Sequence, residues 1–244
     1  MKKNRFFSNS IICFFNFKLG VFMNTLKKLF FASLISLSGL SFGAVSLSGN
    51  IAVTTDYIWR GMTQNDSDPA VSGGFDLEHD SGFYIGLWAS NAKAMNDTAA
   101  DTVTLDDGTI TIGSLELDGY LGFAGSFNDD AGYDVGYIAY TYPGVKAWDF
   151  EEAYISFDFY GAYVSYAAGL GTDVYDYTEI GYSIDAGPGS FSVSYGDYDK
   201  KGSNYLVGYD WSVGDFTLGF YYSDFDSDDG TAKDEDGGYF TISY

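Results

Sequence analysis

Between Val45 and Gly61 the chain reads VSLSGNIAVTTDYIWRG, and its alternate residues separate into two lists. Val45, Leu47, Gly49, Ile51, Val53, Thr55, Tyr57 and Trp59 form one; Ser46, Ser48, Asn50, Ala52, Thr54, Asp56, Ile58 and Arg60 form the other. Successive side chains of a pleated strand point to opposite faces, so this period of two predicts one long strand. Strands of soluble domains usually run about five or six residues. A tilted strand crossing a bilayer needs about nine to eleven. The run fits the second case.

The alternation recurs over 71–78, 83–90, 115–123, 133–142, 150–157, 161–167, 174–184, 190–198, 205–212, 215–223 and 238–244, giving twelve expected strands. Between them lie polar or turn-forming stretches: 62–69, a tight turn at 79–82, a long loop at 91–108, the turn 126–132, then 143–149, 168–173, 185–189 and 199–204. Only Val213 and Gly214 separate the tenth and eleventh strands, and a very acidic loop runs from Asp224 to Gly237. An even number of strands joined alternately by longer loops and shorter turns is the plan of an outer-membrane barrel. The expected fold is therefore all-β: a transmembrane, antiparallel, up-and-down β-barrel of about twelve strands, both termini periplasmic. The 22 Tyr, 21 Phe and 31 Gly against 3 Pro suit strands and tight turns. A soluble exported β-sandwich that binds a ligand is the alternative from another class, since alternation alone does not say which face is inside.

Met23 opens MNTLKKLFFASLISLSGLSFGA, with Lys27 and Lys28 ahead of a short apolar run and small residues Ser41 and Gly43 before Ala44. That is the pattern of a cleaved secretory signal peptide. The chain divides into an upstream extension (1–22) that a start at Met23 would remove, a signal peptide (23–43) and a barrel (44–244). No later stretch approaches the roughly eighteen continuous apolar residues of a spanning helix.

Of the 12 basic residues, six precede position 44, where there is no acid, so the exported part carries all 34 acids. Nucleic acid is thereby an unsuitable partner. Cys13 is the single cysteine and His79 the single histidine, so neither a thiolate nor a histidine-clustered metal centre is expected, and no cofactor. A barrel hydrolase would need a serine activated by a histidine. His79 stands beside a short turn, and no enzymatic activity is expected. Asp224, Asp226, Asp228 and Glu235 imitate an EF-hand loop, but Asp229 fills the place where the turn requires glycine. A solvated loop recruiting divalent ions loosely fits better.

Parity places Asp56, Arg60, Glu116, Asp118 and Glu179 on the polar face. In a membrane barrel that face lines the lumen, because a basic residue facing lipid at mid-depth costs about 2–4 kcal/mol. These five are the candidate pore-lining residues: an acidic constriction attracting cations, with Arg60 bonded to one of the acids. A salt-bridged, closed lumen is the plainer alternative. The aromatics Tyr57, Trp59, Tyr133, Phe216, Tyr222 and Tyr244 are expected in interfacial girdles.

Several blocks resemble the TorF-type porin family: Thr55-Asp56-Tyr57-Ile58-Trp59-Arg60-Gly61-Met62-Thr63-Gln64, Pro69-Ala70, Gly82-Phe83-Tyr84-Ile85-Gly86-Leu87-Trp88-Ala89-Ser90-Asn91, Glu116-Leu117-Asp118-Gly119-Tyr120 and Tyr142-Pro143-Gly144. The resemblance implies a Gram-negative outer-membrane protein acting as a diffusion channel. The last strand, with Phe240, Ile242 and terminal Tyr244 on one face, resembles the signal read by the barrel-insertion machinery. Expected partners are that machinery, outer-membrane lipid and lipopolysaccharide. The expected function is passive diffusion of small cationic or neutral solutes, with a closed-lumen structural or adhesive barrel as the alternative.

Overall fold

A computed structural model describes residues 43–93, 102–105, 108–111, 114–143, 146–228, 230 and 234–244. The expected upstream extension and nearly all of the signal peptide lie outside them.

The chain starts with β1 (Val45–Thr54), leaves it through a short hairpin of β2 (Ile58–Trp59) and β3 (Met62–Thr63), and returns as β4 (Ala70–His79) and β5 (Phe83–Ala92). A second hairpin, β6 (Thr102–Leu105) and β7 (Gly108–Thr111), stands apart before β8 (Ser114–Asn128) and β9 (Ala131–Thr141). A 3-10 turn at Lys146–Trp148 precedes β10 (Phe150–Phe159) and β11 (Ala162–Gly169). The chain continues as β12 (Tyr177–Ala186), β13 (Gly189–Tyr198), β14 (Gly202–Val213), β15 (Phe216–Ser227) and β16 (Glu235–Ser243). Without β2, β3, β6 and β7, these strands form one closed antiparallel barrel of twelve, each pairing with its neighbours in sequence. The seam joins β1 to β16 through Ala52↔Ser243, Val53↔Ile242 and Thr54↔Thr241. Ile51 and Tyr244 extend it by exchanging backbone bonds of 3.1 and 2.9 Å. Closure removes the two-sheet sandwich from consideration.

Local chemistry sets the two rims. At one rim all five connections are two or three residues long, as at Tyr160-Gly161, whose φ values of 49° and 84° make the left-handed pair that a right-twisted hairpin requires. Both ends of the barrel lie at this short-turn rim, for Val45 pairs with His79 and Tyr244 ends the strand beside β1. The remaining loops gather at the other rim.

The faces are inverted relative to a soluble domain. Leu47 and Phe75 are 70% and 67% exposed on the outer wall, whereas Asp118 and Glu152 inside are fully buried. Aromatic rings pair outside near both ends: Phe216 with Tyr244 at 5.5 Å near the short turns, and Tyr205 with Tyr222 at 6.3 Å towards the long loops.

Four expectations change. The first strand ends at Thr54 rather than Gly61, and Tyr57 and Trp59 turn into the barrel rather than joining an outer girdle. Strand pairing extends through most of 126–132, leaving only Asp129 and Asp130 as the turn. The acidic loop narrows, because β15 runs to Ser227 and β16 begins at Glu235. Asp224 and Asp226 therefore sit on a strand, not in a calcium-type loop. The 91–108 loop contains the start of its own hairpin, β6–β7.

Candidate functional site

The site starts where β1 stops. Thr54 Oγ1 donates to the Asp56 carbonyl at 2.7 Å, and this side chain-to-backbone bond turns the chain off the sheet. Residues 55–64 then fold inwards. Arg60 (φ 49°) and Gly61 (φ 85°) form the two-residue turn of the β2–β3 hairpin, whose tip enters the lumen.

The hairpin crosses from wall to wall. Tyr57 donates to Glu116 Oε1 at 3.1 Å on β8 and stacks edge-on against Trp88 of β5. Trp59 Nε1 donates to Tyr140 Oη at 3.2 Å on β9, and its ring meets Phe150 of β10 and Tyr198 of β13 edge-on. Gly61 lies against β14 and β15, where a Cβ would stand 2.6 Å from Asn204 Cβ and 2.9 Å from Phe225 Cβ. Only glycine fits both that gap and that φ.

Arg60 is the centre of the contact. Its Nη1 and Nη2 donate to Glu152 Oε1 and Oε2, each at 2.7 Å, a parallel fork-to-fork pair. The guanidinium also lies 4.2 Å from the Trp59 ring and 4.1 Å from Tyr177. The two charged side chains are 4% and 0% exposed. Removing one partner of such a pair strands the other charge without water, at a cost of about 3–5 kcal/mol.

The base of the hairpin is fixed separately. Thr63 N donates to Glu235 Oε2 and Thr63 Oγ1 to Asp56 Oδ1, both at 2.7 Å. Thr63 Oγ1 also accepts from the Ser67 amide at 2.9 Å, and the Lys93 amide donates to the Gln64 carbonyl at 2.8 Å.

Beside the hairpin a cavity of about 460 Å³ occupies the lumen. Asp56, Asp76, Glu179 and Asp210 border it, among Ser156, Ser165, Ser192 and Ser243. No barrel strand carries a lysine or arginine, so Arg60, already paired, is the basic residue at this cavity.

Tyrosines line the wall by a repeated device. Tyr84 lies over Gly122, Tyr120 over Gly86, Tyr154 over Gly136 and Tyr163 over Gly181, each directly across a strand pair. Three of the hydroxyls reach inward acids: Tyr84 donates to Asp134 at 2.7 Å, Tyr163 to Glu179 at 2.5 Å, and Tyr120 to Asp76.

The five candidate residues are thus separated into two groups. Asp56, Arg60 and Glu179 face the cavity. Glu116 and Asp118 are buried inside the barrel and do not border the cavity, Glu116 lying under the Tyr57 hydroxyl. Asp56 and Arg60 do not share a strand face, because β1 has ended before either. Sequence reasoning missed Glu152, Asp76 and Asp210. Parity within 150–157 carried the signal for Glu152, which shares a face with Tyr154 and Ser156 and stands opposite Phe157.

A family profile described as "Bacterial protein of unknown function (Gcw_chp)" matches residues 41–237. No curated protein matches the sequence significantly. Among solved structures, the KdgM porin is similar at a TM-score of 0.53 and 7% identity, over 80% of this chain and 98% of that one. At that identity the likeness concerns the fold. A Rhodopseudomonas blastica porin triple mutant is more distant, at a TM-score of 0.38 and 11% identity over 82% and 99% of the two chains.

Proposed function

The chain belongs to that bacterial family of unknown function, Gcw_chp, and we propose that it is an outer-membrane channel for passive diffusion of small cationic or neutral solutes. The observation that carries this reading is the pairing of two surfaces in one closed barrel. The outside is apolar, with residues such as Leu47, Phe75, Leu87 and Ile180 turned outwards. The inside holds a polar cavity bordered by four carboxylates. Lipid would satisfy the first surface and water with mobile cations the second. The resemblance of the Thr55–Gln64 block to TorF-type porins supports the same reading, as does the KdgM-like fold.

In this reading the short-turn rim, with both termini, faces the periplasm, and the long loops face the exterior. Lipid and lipopolysaccharide surround the wall, and the strand ending in Tyr244 is the part presented to the insertion machinery. The chemistry is passage, not catalysis. A closed-lumen structural barrel is the second reading, and the hairpin across the lumen is what favours it.

Conductance of the refolded exported chain in a planar bilayer, under a potassium chloride gradient, tests the two. Discrete steps with a cation-selective reversal potential are expected. Substituting Asp56→Asn with Glu179→Gln should move that potential towards zero, because both carboxylates border the cavity. Glu116→Gln and Asp118→Asn should leave it nearly unchanged, because both groups are buried and neither borders the cavity. An inserted barrel with no steps at any voltage, with or without its hairpin, would end the channel reading in favour of the structural one.

A further inference from the structure

The β2–β3 hairpin leaves the wall, crosses the lumen and is fastened at both ends. At its base the fastening is Thr63 on Glu235 and Asp56. At its tip it is Arg60 on Glu152, with Gly61 seated against Asn204 and Phe225. The tip fastening is a buried charged pair, and it closes on a carboxylate that belongs to the wall.

Building on the channel reading, we propose that this hairpin is the constriction that sets the size limit for passing solutes, and that the Arg60–Glu152 pair is its latch. The reasoning is geometric. A loop that touches β5, β8, β9 and β10 on one side and β14 and β15 on the other takes up the middle of the lumen cross-section. What it leaves is the acid-bordered cavity beside it. Solutes larger than that remainder pass only if the tip swings away. Swinging away requires the fork-to-fork pair to open and Glu152 to be left without its cation. Tyr177, Tyr198 and Glu152 form a cradle shaped for a planar cation, with the guanidinium 4.1 and 5.0 Å from the two rings. That cradle is what distinguishes a latch from a plain wall brace, since a free guanidinium ion can occupy it when the side chain is gone.

The experiment uses the complete exported barrel, refolded, in planar bilayers and in liposome-swelling assays with sugars of graded size. Heat-dependent gel mobility first establishes that each variant is folded. Arg60→Asn removes the cation while keeping a residue that tolerates the left-handed turn. Arg60→Lys keeps the charge without the fork. A third variant replaces residues 58–63 with a Gly/Ser linker. The expected result is a several-fold larger conductance and a higher sugar size limit for Arg60→Asn and for the linker variant, with Arg60→Lys between them and the parent. Millimolar guanidinium chloride should return Arg60→Asn towards the parent conductance and leave the linker variant unchanged, with potassium chloride at equal ionic strength as the control. Folded Arg60→Asn and linker variants that keep the parent's conductance and size limit would overturn the proposal. So would an Arg60→Asn enlargement that guanidinium does not reverse, which would make Arg60 a brace. If Arg60→Asn does not fold, an unchanged size limit in the linker variant overturns the constriction alone. Absence of conductance in every variant, the linker variant included, would instead overturn the channel reading on which the latch rests.

Discussion

At four places on the inner wall glycine and tyrosine face one another across a strand pair, and the pairing has a physical reason. A tyrosine standing straight into the lumen would expose its ring to water. Laid flat over a glycine on the next strand, the ring is buried against backbone while its hydroxyl still reaches a carboxylate. The glycine is therefore a seat. A methyl at Gly86 would fall on the Tyr120 ring. Gly86→Ala should destabilise the barrel by about 1–3 kcal/mol, as overpacking usually does. Tyr120→Phe keeps the ring on its seat and loses the bond to Asp76, costing about 1.5–3 kcal/mol for a bond to a charged acceptor. Urea unfolding in lipid vesicles measures both. A tolerated Gly86→Ala would show that the ring has another place to go. None of these pairs was legible beforehand, because a Tyr–Gly contact depends on register between strands, and alternation fixes a residue's face but not its partner.

At the scale of elements, the hairpin explains why one boundary was misread while most others were close. Tyr57 and Trp59 continue the apolar list of β1 because β2 is itself a strand and keeps a period of two. The discontinuity lay in Thr54, Asp56 and the Arg60-Gly61 pair, all turn chemistry that a clean alternation outweighed. Arg60 pairs with none of the four acids expected to hold it; Glu152 supplies the carboxylate, from a strand whose inward acid was not singled out. Local anchoring makes a separate prediction. Thr63 Oγ1 accepts from the Asn65 and Ser67 amides at 3.3 and 2.9 Å and donates to Asp56. Thr63→Val preserves the shape and removes that hub. Hydrogen exchange at Asn65 and Ser67 should quicken by an amount corresponding to about 1–3 kcal/mol of lost protection, while the strand amides of β1 and β4 keep theirs. Equal quickening throughout β1 and β4 would mean that the loop is part of the wall's own cooperative unit.

The whole molecule was the most legible level. Twelve alternating runs with unequal connections left little choice but a closed antiparallel wall, since an open sheet of that size would carry two unpaired edges. Its outward face predicts behaviour in bulk. The protein should need detergent for extraction and should migrate differently in gels before and after boiling, because a barrel that keeps its hydrogen-bond ladder binds less detergent than the opened chain. Identical mobility before and after heating would contradict a closed wall of this kind.

The reach of the hairpin also bears on the order of assembly. Its tip rests on residues of β10, β14 and β15, yet it belongs to the first loop of the barrel and stands next to the seam. Early in the sequence, it has nowhere to rest until the late strands are in place. Glu152, Asn204 and Phe225 must all be standing in the wall before Arg60 and Gly61 can settle. A seated tip is thus a sign of a finished wall: a segment made before most of the strands is among the last to come to rest.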